Sequence, residues 1–97
     1  MTSQEAIELE AKCDRLMTEY TGEKCTVCMS LVGHLKIIFE ENYILIDEKS
    51  GSVLYVRLHG YYQELCAIIE NALRCFSEHR ADFDKLIVSY GDKSFLR

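Results

Sequence analysis

The feature that most constrains this chain is a change of hydrophobic period at Gly22. Before it, Ala6, Leu9, Cys13, Leu16 and Tyr20 recur at spacings of three and four, which stacks them on one face of a helix over residues 4–21. Ser3 is the expected N-cap, and Gly22 the stop. The opposite face carries Glu5, Glu8, Lys12, Arg15 and Glu19, with acids leading and bases following as the helix dipole favours. After Gly22 the period is two: Cys25, Val27, Met29 and Leu31 point one way, and Thr26, Cys28, Ser30 and Val32 the other. A helix must therefore feed directly into a strand.

The alternation continues. Gly33-His34 reads as a hairpin turn, Leu35 to Glu40 as a second strand, and Glu41-Asn42 as another reversal. Tyr43 to Ile46 is a third strand, and a loop through Lys49-Ser50-Gly51-Ser52 leads to a fourth, Val53 to His59. From Tyr61 to His79 the helical period returns in Tyr62, Leu65, Ile69, Ala72, Leu73 and Phe76. Leu86 to Tyr90 reads as a final short strand after a loop at residues 80–84. The tail Gly91 to Arg97 is either a frayed end or a segment that tucks Phe95 and Leu96 back onto the body. The expectation is an α+β fold of order α-β-β-β-β-α-β, an antiparallel meander of four to five strands with two helices packed on one face.

The chain has 97 residues, 48% hydrophobic, with no proline and no tryptophan, which suits one domain spanning 1–97. Its net charge of −5 argues against a protein that itself grips nucleic-acid phosphates, and points to neutral or basic partners. Neither a signal peptide nor an apolar run of membrane-spanning length is visible, and five cysteines make an odd number. The expectation is a cytoplasmic protein with free, mostly buried thiols.

Cys25-Thr26-Val27-Cys28 is the one stretch with the spacing of a metal or redox motif. A structural zinc site wants a second pair at matched spacing, and none follows. On a strand the two thiols also leave opposite faces, and a redox pair belongs at a helix start where the dipole lowers a thiol pKa. No metal and no cofactor are therefore expected. His34, His59 and His79 fall at element ends, where histidine is commonly a surface residue. Phosphate-binding, dinucleotide and hydrolase signatures are absent, so no enzyme is expected. Tyr43, Tyr55, Tyr61, Tyr62 and Tyr90 are either interface anchors or core-edge residues.

The carboxylates remain. In an antiparallel meander the turn near His34 and the loop at Asp47-Glu48 share one end of the sheet. A second helix returning to that end adds Glu78, Asp82 and Asp84, and a first helix antiparallel to its strand adds Glu5 and Glu8. These seven acids are the candidate partner-binding residues, tempered by Lys49, Arg80 and Lys85. Carboxylates three or four apart on a helix stand about 5–6 Å from each other, broadly like successive phosphates. The plainer alternative is a solvated, charged surface.

A short proline-free chain, acidic surfaces at Glu5/Glu8, Glu40-Glu41, Asp47-Glu48 and Asp82/Asp84, a sheet with helices and no enzyme motif together resemble the small phage anti-CRISPR proteins. The likeness is to the acidic inhibitors of type I-F surveillance complexes, and it covers the whole chain in style, without a diagnostic motif or residue assignments. It implies a DNA mimic that binds without chemistry in the host bacterial cell. Its acids would occupy the basic DNA-binding surface of the complex, and no nucleic acid or membrane would be bound directly. The alternative from another class is a small protein-interaction or regulatory module, a homodimer being one form of it, that binds through a sheet edge or aromatic surface.

Overall fold

A computed structural model describes residues 2–60 and 62–94. Helix α1 spans Ser3–Thr21. Its N-cap is Thr2 rather than Ser3: the Thr2 hydroxyl accepts the Glu5 N–H at 3.1 Å, and the Thr2/Glu5 spacing is that of a capping box. Gly22 ends the helix at φ 77°, donating its N–H to the Thr18 carbonyl at 2.9 Å. The inward stripe contains Ala6 and Cys13 as expected, together with Met17.

Strands β1 (Cys25–Met29), β2 (Leu35–Phe39), β3 (Asn42–Ile46) and β4 (Val53–Arg57) pair antiparallel in the order β1-β2-β3-β4. The first and fourth strands are shorter than their alternation suggests. After Met29 the Ser30 and His34 backbones pair at 2.8 Å around Gly33 at φ 86°, which lifts Leu31 and Val32 out of the sheet. Past Arg57 the His59 N–H turns aside to the Asn42 side chain at 2.7 Å.

Helix α2 spans Leu65–Glu78, with Tyr61, where the helical period begins, outside the described residues. The expected fifth strand is a third helix, α3, over Arg80–Ser94, and residues 80–84 are its first turn rather than a loop. The aliphatic run Leu86-Ile87-Val88 has strand-like composition, but Phe83 and Leu86 stand one helical turn apart and are both wholly buried. Packing those two on one side fixes the period at 3.6. The tail is helical as far as Ser94, while Phe95 and Leu96 lie outside the described residues. The order is therefore α-β-β-β-β-α-α.

The core forms where Cys25, Val27, Leu35, Ile37, Phe39, Ile44 and Ile46 from one face of the sheet meet Cys13, Met17, Ile68, Ala72, Cys75, Phe76, Phe83 and Leu86 from the helices. Burying a side chain of this kind contributes about 1.5–3 kcal/mol, enough to fix strand register, because a slip by one residue would turn the whole set outward. All the helices occupy this face. Among the described residues the other face has no covering layer. None of the described helices is long and apolar enough to cross a membrane.

Candidate interaction surfaces

The seven acids are gathered in three groups. Glu48 meets His34 (Oε2 to Nδ1, 3.3 Å), so the turn near His34 and the 47–52 loop do share an end of the sheet. Arg80 joins them: its guanidinium donates to the Glu48 carbonyl and, at 3.4 Å, to the Lys49 carbonyl, while its Nε meets Asp84 at 3.0 Å. Asp47 caps its own turn by accepting the Lys49 N–H at 2.9 Å, a bond that holds its carboxyl below the usual range. Glu5, Glu8 and Asp82 form the second group around a depression shared with Lys12 and Lys85, and Lys12 pairs with Asp82 at 3.2 Å. Glu78 stands apart, accepting the Tyr20 hydroxyl at 2.6 Å and facing Arg74 at 4.0 Å. Asp82 and Asp84, two residues apart on a helix, point in different directions and belong to different groups.

Each group thus brings its own cations. Four of the seven carboxylates, those of Glu48, Glu78, Asp82 and Asp84, lie within 4.0 Å of a basic side chain. Arg74 with Glu78 and Arg80 with Asp84 follow i, i+4 spacing on one helix, whereas Lys12 and Asp82, 70 residues apart, meet only by tertiary approach.

The two cysteines of the Cys-x-x-Cys stretch point to opposite sides of β1: Cys25 is buried in the core and Cys28 half-buried beside its register partner Lys36. Burial pushes both thiols up, and it lifts those of Cys13 and Cys75 to about 12, so none is poised as a thiolate. Among the described residues there is no group of three or more Cys, His, Asp or Glu arranged to hold a metal ion.

The outer face of the sheet carries no helix among the described residues. By alternation it presents Thr26 and Cys28 from β1, Lys36 and Ile38 from β2, Tyr43 and Leu45 from β3, and Tyr55 and Arg57 from β4. Lys36 lies over the Tyr43 ring at 4.4 Å, and Tyr43 sits 6.0 Å from Tyr55. Tyr55 is 52% exposed. Only two charged residues occur in the four strands, and both are these outward cations. A basic, aromatic patch thus sits on an acidic molecule. The remaining described tyrosines are partly buried: Tyr62 packs edge-on against Phe39 at 5.5 Å, and burial raises Tyr90 to about 12.

The two edges of the sheet differ. Along β1 the N–H groups of Cys25 and Val27 are taken by α1, the first by Thr18 Oγ1 at 2.9 Å and the second by Asp14 Oδ1 at 2.7 Å. Along β4 the backbone bonds, among the described residues, only to β3. A bulge there sets Leu54 outside the register, 48% exposed. Alternation in the sequence names the outward residues of β1 and β2, but the bulge puts Val53 inward and Tyr55 outward against the alternation of β4, and which edge is open depends on where α1 lies. Compared with protein-family models, with curated proteins and with solved structures, the chain matches none.

Proposed function

We propose that this chain is a non-catalytic, cytoplasmic binding module that engages a protein partner through the outer face of its sheet. The observation that carries the reading is the set of half-buried Ile38, Tyr43 and Leu45 and exposed Tyr55 on the outer face, framed by Lys36 and Arg57. Tyrosine and arginine are the residue types that most often anchor protein interfaces, since each supplies a large contact area and directional hydrogen bonds. The free thiols suit a reducing compartment.

A DNA-mimic inhibitor of a CRISPR surveillance complex is the second reading. It is favoured by the grouping of Asp47, Glu48 and Asp84 at one end through His34 and Arg80. It has less support, because an acid already paired with its own lysine or arginine offers little to a basic groove until that pair breaks. The two readings separate in a pulldown from a host with an active CRISPR system. The sheet-face reading expects Ile38→Glu with Tyr55→Ser to abolish capture, with weak dependence on salt. DNA mimicry expects instead a captured basic complex that added DNA displaces, and loss of capture on replacing Asp47, Glu48, Asp82 and Asp84 with Ala. That second result, with the Ile38/Tyr55 variant binding normally, would overturn the proposal.

A further inference from the structure

We infer that the partner is an extended segment carrying acidic side chains, which adds as a fifth strand to the β4 edge of the sheet. The inference rests on the binding-module reading and names its partner. An added strand needs a free row of backbone donors and acceptors, and β4 is the edge that supplies one, since α1 occupies the β1 edge through Asp14 and Thr18.

Charge decides the chemistry of the incoming strand. Its side chains on the outer face would lie beside Tyr55 and Arg57, with Lys36 further in, and the four strands hold no carboxylate to balance these cations. An acidic residue of the partner opposite Arg57 pairs with it across the ladder, while Lys36, on β2 and over the Tyr43 ring, lies beyond direct reach. Its other side chains would point toward the helical layer, next to Val53 and Val56, which are partly buried against the core, and there apolar residues fit. The partner is thus an alternating acidic and apolar segment.

The bulge at Leu54 argues against a second copy of this chain as the occupant. A pairing of two identical bulged edges carries two interruptions in one short ladder, whereas a flexible segment adjusts around a single bulge. Nucleic acid is a poorer fit, because it has no amide ladder to pair with β4.

The test uses the full chain and a fluorescein-labelled peptide of alternating valine and glutamate, about nine residues long. Fluorescence anisotropy is expected to show saturable binding that weakens by about five-fold or more in Arg57→Glu, and hydrogen exchange is expected to slow at the amides of β4. A peptide N-methylated along its backbone should not bind. Equal binding of the N-methylated peptide would overturn strand addition while leaving the sheet face as the site. So would unaltered affinity in Arg57→Glu, or displacement of the peptide by a single-stranded oligonucleotide of higher affinity. Absence of peptide binding, with partner capture still sensitive to Ile38→Glu and Tyr55→Ser, would remove this inference alone. If capture is insensitive too, the module reading falls with it.

Discussion

The two edges of this sheet were closed by different means, or not closed at all. At β1, the helix that precedes the strand turns back at Gly22 and lies along it antiparallel, so that Asp14 and Thr18, one helical turn apart, reach Val27 and Cys25 in reverse order. At β4, the chain departs through residues 58–64 into α2, which packs into the core layer and leaves the edge bare. A helix directly joined to a strand can seal it with side chains from its last two turns, whereas one reached through a longer connection is free to pack elsewhere. The same division separates the two faces: one carries the core, the other a half-buried set of Ile38, Tyr43 and Leu45 with the exposed Tyr55 and Arg57.

The largest expected effect tests the faces. Ile37 and Ile38 are neighbours of identical chemistry, the first with no exposed surface and the second on the outer face. Ile37→Ala should cost about 2–5 kcal/mol through lost burial and a residual cavity, and Ile38→Ala less than about 1 kcal/mol. Urea denaturation of both variants decides the matter. Equal losses would mean that something covers the outer face.

The β1 seal comes next. Asp14→Ala leaves the Val27 N–H without its acceptor and should cost about 1–3 kcal/mol. Asp14→Asn keeps an acceptor oxygen and removes the charge. Burial raises the Asp14 carboxyl above its ordinary value, against the opposing pull of the Val27 hydrogen bond. The folded state therefore holds that proton more tightly than the unfolded chain, and the resulting stability, complete below the ordinary carboxylate range, is lost as pH rises through the raised value. At neutral pH Asp14→Asn is expected to be at least as stable as the natural chain, with a flatter stability profile across the acid range. A variant as damaging as Asp14→Ala would show that the charge itself holds the edge.

Much of this architecture was legible as period. The helix before Gly22, the four strands and the opposite pointing of Cys25 and Cys28 all follow from spacing alone. Where the chain turns on particular hydrogen bonds, period misleads: Leu31 and Val32 continue the alternation of β1, yet Ser30 and Gly33 have already reversed the chain. The strand expected over Leu86 to Tyr90 failed for a different reason, since an aliphatic run fits a strand by composition until Phe83 and Leu86 are seen to be buried one helical turn apart with Val88 exposed. Shared placement of Glu48 and His34 was legible from antiparallel topology. Of the cations that accompany the acids, Arg80 was legible as a neighbour of Asp82 and Asp84, but Lys12 was not, because it meets Asp82 from another element. The sealing pair Asp14 and Thr18 did leave a trace, two polar residues four apart flanking the buried Cys13 and Met17.

The sealed half of the sheet, β1 and β2, joins the open half at the two-residue turn Glu40-Glu41, between the paired Phe39 and Asn42. Glu40 sits at φ 54°, where a side chain crowds the backbone and glycine does not. Glu40→Gly is expected to stabilise by up to about 1 kcal/mol, the relief of a left-handed conformation offset by added freedom in the unfolded chain. Thermal melting measures it. A loss of stability would show that the Glu40 side chain contributes more than its backbone strain costs, and that the two halves are held together at this turn by more than their ladder.

The smallest expected effect on stability carries the sharpest contrast. Tyr55 touches Tyr43 at a tilted 6.0 Å on the open face, a cross-strand aromatic contact worth about 0.5 kcal/mol. Tyr55→Ser should therefore leave the fold almost unchanged in urea denaturation, because its ring is half in solvent and displaces little water by folding. If the open side of the sheet is where a partner docks, the same substitution should lower partner affinity by about 2 kcal/mol, as truncating an interface aromatic does. The sealed side predicts the reverse pattern, with Asp14→Ala lowering stability and leaving affinity intact in the protein that remains folded. Should Tyr55→Ser destabilise the fold as much as Ile37→Ala, the ring belongs to the architecture, and the distinction between a finished and an unfinished side of the sheet would no longer hold.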